Sequence, residues 1–339
     1  MASIPGTASG AQADDAWFGE ARLRFERRSH STIHQGGATA PLKLQRSFRQ
    51  ASGHCELPLL HTAGGLVGGD RLKIQASLGP DSRALLTTVA AQKVYGSVAR
   101  SRRQPAGRWA RQEILLQLEA GSDLEWLPQE LVLYAGGLYE QRTRVELGPG
   151  ASLLMAEVVR LGRTAAGEAL EAGCWRSALE IRRLPGADQP GRWELVDRLA
   201  LGDKALQGEH GLAGQPVFGS LVWVAPDQRI AAELEALLED CRADRAGLPG
   251  DMACGALEQG LVARYRGPSS QAARFWFTRL WTRLRHVRGL PPPELPRVWP
   301  FQEQPFLEQP DWFSQNQTGT TIAGTVNGCT SLPRKRTSC

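Results

Sequence analysis

The chain is 339 residues long, with 42% hydrophobic and 22% charged residues and a formal charge of +5 at pH 7. That length accommodates one large domain or two ordinary ones with apolar content sufficient for a core. The positive balance comes from arginine spread along the chain, weak ground for nucleic-acid binding and equally consistent with an acidic protein partner. No run of about eighteen apolar residues exists, and Met1 to Asp15 lacks the basic start and apolar centre of a signal peptide. Six cysteines without any Cys-x-x-Cys spacing read as free thiols. The expectation is a soluble, cytoplasmic protein with no membrane span.

Residues 1–15 read as a disordered segment, and Phe18 to Arg28 is the first strand, with Ala21, Leu23 and Phe25 alternating with charged residues. Four of the six histidines, His30, His34, His54 and His61, then fall within thirty-two residues, with Cys55 and Glu56 beside the third. Imidazole and thiolate suit nickel, copper and zinc, but the spacing matches no closed site. His61 opens a stretch with two glycine pairs, Gly64-Gly65 and Gly68-Gly69, before Asp70. Gly-Asp-Arg where a phosphate loop needs Gly-Lys-Ser/Thr excludes that loop, and a following strand excludes a dinucleotide fingerprint. Tight bends at a sheet edge or a ligand-binding loop remain.

From Asp70 a loose repeat carries the fold expectation. Strand, turn and strand recur at Leu72 to Ala90, Ile114 to Leu127 and Arg142 to Val159, with about 40 and then 29 residues between equivalent leucines. This predicts a mainly β fold, a distorted β-helix-like stack of strands. Further strands are expected at Trp175 to Arg182, Trp193 to Leu201, Val217 to Val224 and Gly255 to Arg266. Two α-helices follow in the C-terminal half, Gln228 to Arg242 and Ser270 to Val287. The second offers Phe275, Phe277, Leu280, Trp281 and Leu284 for packing, with Arg274, Arg279, Arg283, Arg285 and Arg288 as a basic surface. One domain is expected over 16–308, with a polar, disordered tail over 309–339.

Nucleophile elbows, His-Glu-x-x-His helices and papain-like cysteines are absent, so no enzyme template finds support. What stands out is a set of carboxylates in apolar or glycine-rich settings: Asp70, Glu130, Glu157 and Glu168. A carboxylate inside an apolar strand must be paired, protonated or facing a wet cavity, and Arg160 and Arg163 are the nearest partners for Glu157. Lys93 and Tyr95 similarly bring polar groups to an apolar strand, where a surface edge is the simplest reading.

These residues resemble those of the urease accessory protein D family. The similarity rests on His61-Thr62-x-Gly64-Gly65-x-x-Gly68-Gly69-Asp70 and Thr87-Thr88-x-Ala90-Ala91-x-Lys93-x-Tyr95, then Leu127-Pro128-Gln129-Glu130 and Glu157-x4-Gly162-Arg163-x3-Gly167-Glu168. The motifs run in the family's order across 18 to about 290. Gly96 stands where the family pattern has a basic residue, and the tail has no counterpart.

The resemblance implies a non-enzymatic metallochaperone scaffold. It would bind the urease apoprotein and, with accessory proteins F and G, deliver nickel to the urease metallocentre. Protein G is the GTPase of that assembly. Transient nickel and no tightly bound cofactor are implied, carried along an internal, water-filled route whose candidate ligands here are His61, Asp70, Glu130, Glu157 and Glu168. Trp281 and Arg283 are candidates for contacting a partner, protein F, and the rival expectation is a passive scaffold that holds apo-urease open without touching metal.

Overall fold

The computed structural model describes residues 16–186, 190–226, 231–299 and 305. Strands are numbered in chain order. The first sheet has seven: β1 (Phe18–Arg28), β2 (Ser31–Ala38), β6 (Arg71–Leu78), β9 (Ala110–Leu118), β12 (Leu138–Leu147), β14 (Cys174–Arg183) and β15 (Arg192–Gly202), in the order β15-β14-β12-β9-β6-β1-β2. The second has eleven. Its main path is β17 (Asp251–Leu257), β18 (Gly260–Gly267), β16 (Val217–Val224), β13 (Ser152–Leu161), β10 (Asp123–Leu127), β7 (Arg83–Thr88), β5 (Cys55–His61) and β3 (Leu42–Leu44). The short β4 (Phe48–Arg49) flanks β5, while β8 (Gln92–Val94) and β11 (Leu131–Leu133) pair with each other and β11 with β13. The helices are α1 (Lys204–Gln207), α2 (Ala231–Ala243) and α3 (Ser270–Val287).

The repeat seen in the sequence is a stack of parallel coils. Leu78 pairs in register with Leu118 and Leu118 with Leu147, the same leucines whose spacing set the irregular period. In each coil a strand of the first sheet turns a corner into a strand of the second. The corners also stack: Asp81 N–H donates to Ala120 O and Gly121 N–H to Pro149 O, both at 3.0 Å. Asp81, Gly121 and Gly150 occupy the equivalent corner position with φ of 54°, 67° and 66°. A Cβ on Gly121 would lie 2.3 Å from Asp81 Oδ1, so a side chain in the middle coil would have to displace that carboxylate as well as take a left-handed dihedral.

Alternation sorts the side chains of β13 onto two cores. Leu153, Met155 and Val159 point between the sheets, whereas Leu154, Ala156 and Val158 join the core beneath α2 and α3. Glu157 shares the parity of the first set, which aims it between the sheets. All eight residues of β16 are buried because that strand is covered on both faces.

Several local expectations change. Gly255 to Arg266 is a hairpin rather than one strand, β17 turning at Glu258 and Gln259 into β18. α1 is an additional single helical turn, and the expected start of α2 near Gln228 lies outside the described residues, as do residues 1–15 and 309–339. The arginines of α3 are not a solvated face. Arg279 and Arg285 are buried: Arg279 donates to Asp244 O, Ala246 O and Pro305 O, and Arg285 reaches Glu125 of the second sheet. The helix covers acceptors that need cations, so apolar periodicity alone underestimates how much of it is inside.

Candidate functional site

Between the two sheets lies a cavity of about 320 Å³. The first sheet contributes Leu72, Ile74, Gln112, Ile114, Tyr139 and Gln141, and the second contributes His61, Trp126, Glu157 and Val159. Gly64, Gly65, Thr88, Gln92, Lys93, Pro128 and Gln129 also line it, bringing parts of all four family-like motifs to one space. Gln112 and Gln141 are register neighbours on β9 and β12. They occupy inward positions where their strands otherwise place Ile114, Thr143 and Val145.

Among the described residues, Glu157 is the only carboxylate in this lining. Its Oε2 accepts from Gln141 Nε2 at 2.9 Å. Burial raises its pKa to about 7, against the opposing pull of the Arg264 charge and the Gln141 hydrogen bond. Arg160 and Arg163 are not its partners: Arg160 bonds Thr164 and Ser270, and Arg163 bonds Glu168. His61 faces the same cavity, and its Nε2 is buried with no hydrogen-bond partner among the described residues. Burial lowers its pKa despite the Asp70 charge, so the ring is neutral at pH 7. A neutral imidazole nitrogen and a carboxyl group that ionises near neutrality are each weak donors for a borderline divalent ion, placed on β5 and β13 with β7 and β10 between them.

The other candidate carboxylates are engaged elsewhere. Asp70, 2% exposed, accepts from Trp17 N–H and Val67 N–H, both at 2.9 Å, and does not line the cavity. Glu130 pairs with Arg274 of α3 at 3.2 Å. Glu168 holds Arg163 and the Ala135 N–H, and the Arg163 hydrogen bond keeps its carboxyl below the usual range. Trp281, expected at a partner interface, is fully buried, and Arg283 ties α3 to Asp240 on α2 and to Asp244 beyond its end. The histidines disperse too, since His54 is buried against Asp123 and Ser52 rather than beside His61. Among the described residues no group of three or more His, Cys, Asp or Glu side chains is arranged to hold a metal ion.

The remaining motif residues form a column beside the cavity. Leu66, buried between the glycine pairs, donates to Lys93 O and accepts from Tyr95 N–H, which docks the glycine loop on β8. The Tyr95 hydroxyl donates to Gly64 O at 3.3 Å, and the Tyr95 ring meets Tyr134 edge-on at 5.1 Å. The Arg163 guanidinium lies 4.6 Å from the Tyr134 ring centre and closes on Glu168. Gly162 and Gly167 supply the left-handed bends that return the chain for this contact, at φ of 88° and 71°. A Cβ on Gly162 would sit 2.4 Å from Glu168 O and 2.7 Å from Ala169 C. Gly162→Ala is therefore expected to destabilise the protein by about 3 kcal/mol or more, read as a lowered urea midpoint, because backbone rather than a flexible side chain blocks it.

Sequence reasoning missed Gln112, Tyr139 and Gln141. Their signal was parity: each sits in phase with the buried apolar residues of its strand.

The family described as "UreD urease accessory protein" matches residues 18–300. A urease accessory protein UreD of Parasynechococcus marenigrum (strain WH8102) is 59% identical over 310 residues, covering 91% of this chain and 99% of that protein. Proteins of the same description from Synechococcus sp. (strain WH7805) and Prochlorococcus marinus (strain MIT 9313) are 59% and 58% identical over 297 and 299 residues. Each alignment covers 86% of this chain and 93% of the relative. With a match over most of its length and relatives at this identity, the chain belongs to the UreD family of urease accessory proteins.

Proposed function

We propose that this accessory protein is a non-enzymatic, cytoplasmic scaffold. It binds the urease apoprotein and, with accessory proteins F and G, passes nickel toward the urease metallocentre through the cavity between its sheets. The observation that carries the reading is a cavity lined by two separate donors, Glu157 and a buried His61 Nε2 with no hydrogen-bond partner among the described residues. Nickel is cargo here. A transit site needs oxygen and imidazole donors that bind weakly enough to release the ion, and a neutral histidine with a single carboxylate, backed by amides, fits that need better than a closed thiolate cage. The four described cysteines, Cys55, Cys174, Cys241 and Cys254, are free thiols outside the lining.

The test is co-expression of the urease subunits with proteins F and G, with this chain present or absent, followed by metal analysis of purified urease. Nickel content is expected to fall severalfold without the chain. Equal loading would refute the function. A His61→Ala/Glu157→Ala variant separates the route from a passive scaffold: it is expected to bind apo-urease normally yet leave it nickel-poor, whereas full activation favours the passive reading.

A further inference from the structure

Among the described residues the large apolar side chains left most exposed are Trp17 at 50%, Phe18 at 59%, Val67 at 47%, Trp193 at 55% and Val196 at 45%. Scattered singly, such residues need no explanation; gathered on a fixed support, they mark a contact surface. One buried carboxylate fixes the backbone of the first and third, and Phe18 follows Trp17 directly. The two oxygens of Asp70 accept separately from the Trp17 and Val67 amides, Arg71 N–H donates to Trp17 O at 2.8 Å, and Phe18 pairs in register with Arg71. The chain start and the outward side of the glycine loop are thus held side by side, while Gly64 and Gly65 of that loop wall the cavity.

The surroundings specify what fits there. Across the end of the first sheet the register runs Phe18, Arg71, Arg111, Glu140, Arg176, three arginines to one glutamate, and all three arginines are exposed. Aromatic and arginine side chains around a rigid apolar centre are the composition of interface hot spots.

We propose that Trp17, Phe18 and Val67 form a docking pad for the urease apoprotein, engaging an apolar patch rimmed by acidic side chains, with Asp70 as the positioning residue beneath. The proposal rests on the reading of this chain as a participant in urease assembly, and it places the partner against the loop that walls the cavity.

The experiment titrates purified apo-urease against the full chain, a Trp17→Ser/Val67→Ser variant and an Arg71→Glu/Arg111→Glu variant, with melting temperatures measured in parallel. The serine variant is expected to bind at least tenfold more weakly at an unchanged melting temperature. The glutamate variant should also bind more weakly and lose the salt dependence of the parent. Unchanged affinity in either variant overturns the proposal. So does a drop in the serine variant's melting temperature that vanishes in a chain lacking residues 1–15, the result if that segment covers the pad. Urease nickel content with and without the chain tests the function separately, so a failed pad and a failed function give different results.

Discussion

Arg285→Ala is expected to destabilise the protein by about 3–5 kcal/mol, measured as a fall in unfolding free energy in urea at pH 7. The guanidinium is 1% exposed and meets both oxygens of Glu125, itself fully buried, at 2.8 and 2.5 Å. Arg288 reaches the same carboxylate at 2.6 Å and Asp123 at 2.7 Å, and His54 contacts Asp123 at 3.2 Å. Removing Arg285 leaves a buried charge with one of its three hydrogen bonds, the one from Arg288, and removes the cation stacked 5.0 Å from the Trp281 ring centre. Removing both charges is different: Glu125→Leu/Arg285→Met is expected to recover more than half of the loss, because an apolar pair of similar volume needs no partner. Acid dependence supplies an independent reading. Burial would raise the Glu125 carboxyl, but the Arg285, His54 and Arg288 charges hold it well below its ordinary range, and Asp123 is likewise lowered. A depressed carboxylate stabilises the fold above its unfolded value near 4 and loses that contribution as pH falls through its folded value. Arg285→Ala should therefore narrow the stability difference between pH 7 and acid, and a loss below about 1 kcal/mol at pH 7 would contradict the argument.

The architecture was legible because it is written in period-two alternation and turn chemistry. β1, β16 and α3 begin and end where the residue pattern places them, and the coil spacing survives as backbone register. The family was legible too, since four motifs in fixed order are far more specific than any one of them. What sequence could not resolve was pairing across long separations. Glu157 was placed correctly inside an apolar strand, yet its neighbours in sequence, Arg160 and Arg163, turn away and its partner is Gln141 on the opposite sheet. Asp70 looked like a metal ligand from its histidine and glycine context, while its hydrogen bonds are those of a backbone clamp. Glu125 sits in a five-residue buried strand with no local cation, and only the docking of α3, 160 residues later, supplies one. Charge in a sequence marks where a partner is required; it does not say which strand or helix brings it.

Glu157→Gln is expected to make the protein more stable and less able to load urease. Between the unfolded carboxyl value of about 4.5 and the folded value of about 7, the folded state keeps a proton that the unfolded chain has released. Stability therefore falls as pH rises through that window and levels off above it. Glutamine has no such ionisation and keeps a hydrogen-bonding group toward Gln141. At pH 8 the variant should exceed the parent by about 3 kcal/mol, with the difference shrinking toward zero near pH 4.5. An amide is a poor replacement for a carboxylate on a divalent ion, so urease matured with the variant should contain severalfold less nickel. A structural role for Glu157 predicts the opposite linkage, loss of loading only where stability is lost. Urea unfolding across pH 5–8, set beside nickel analysis of co-expressed urease, decides between them: a stabilised variant with full loading would remove Glu157 from the route, and a destabilised one would show its charge to be paired in the fold.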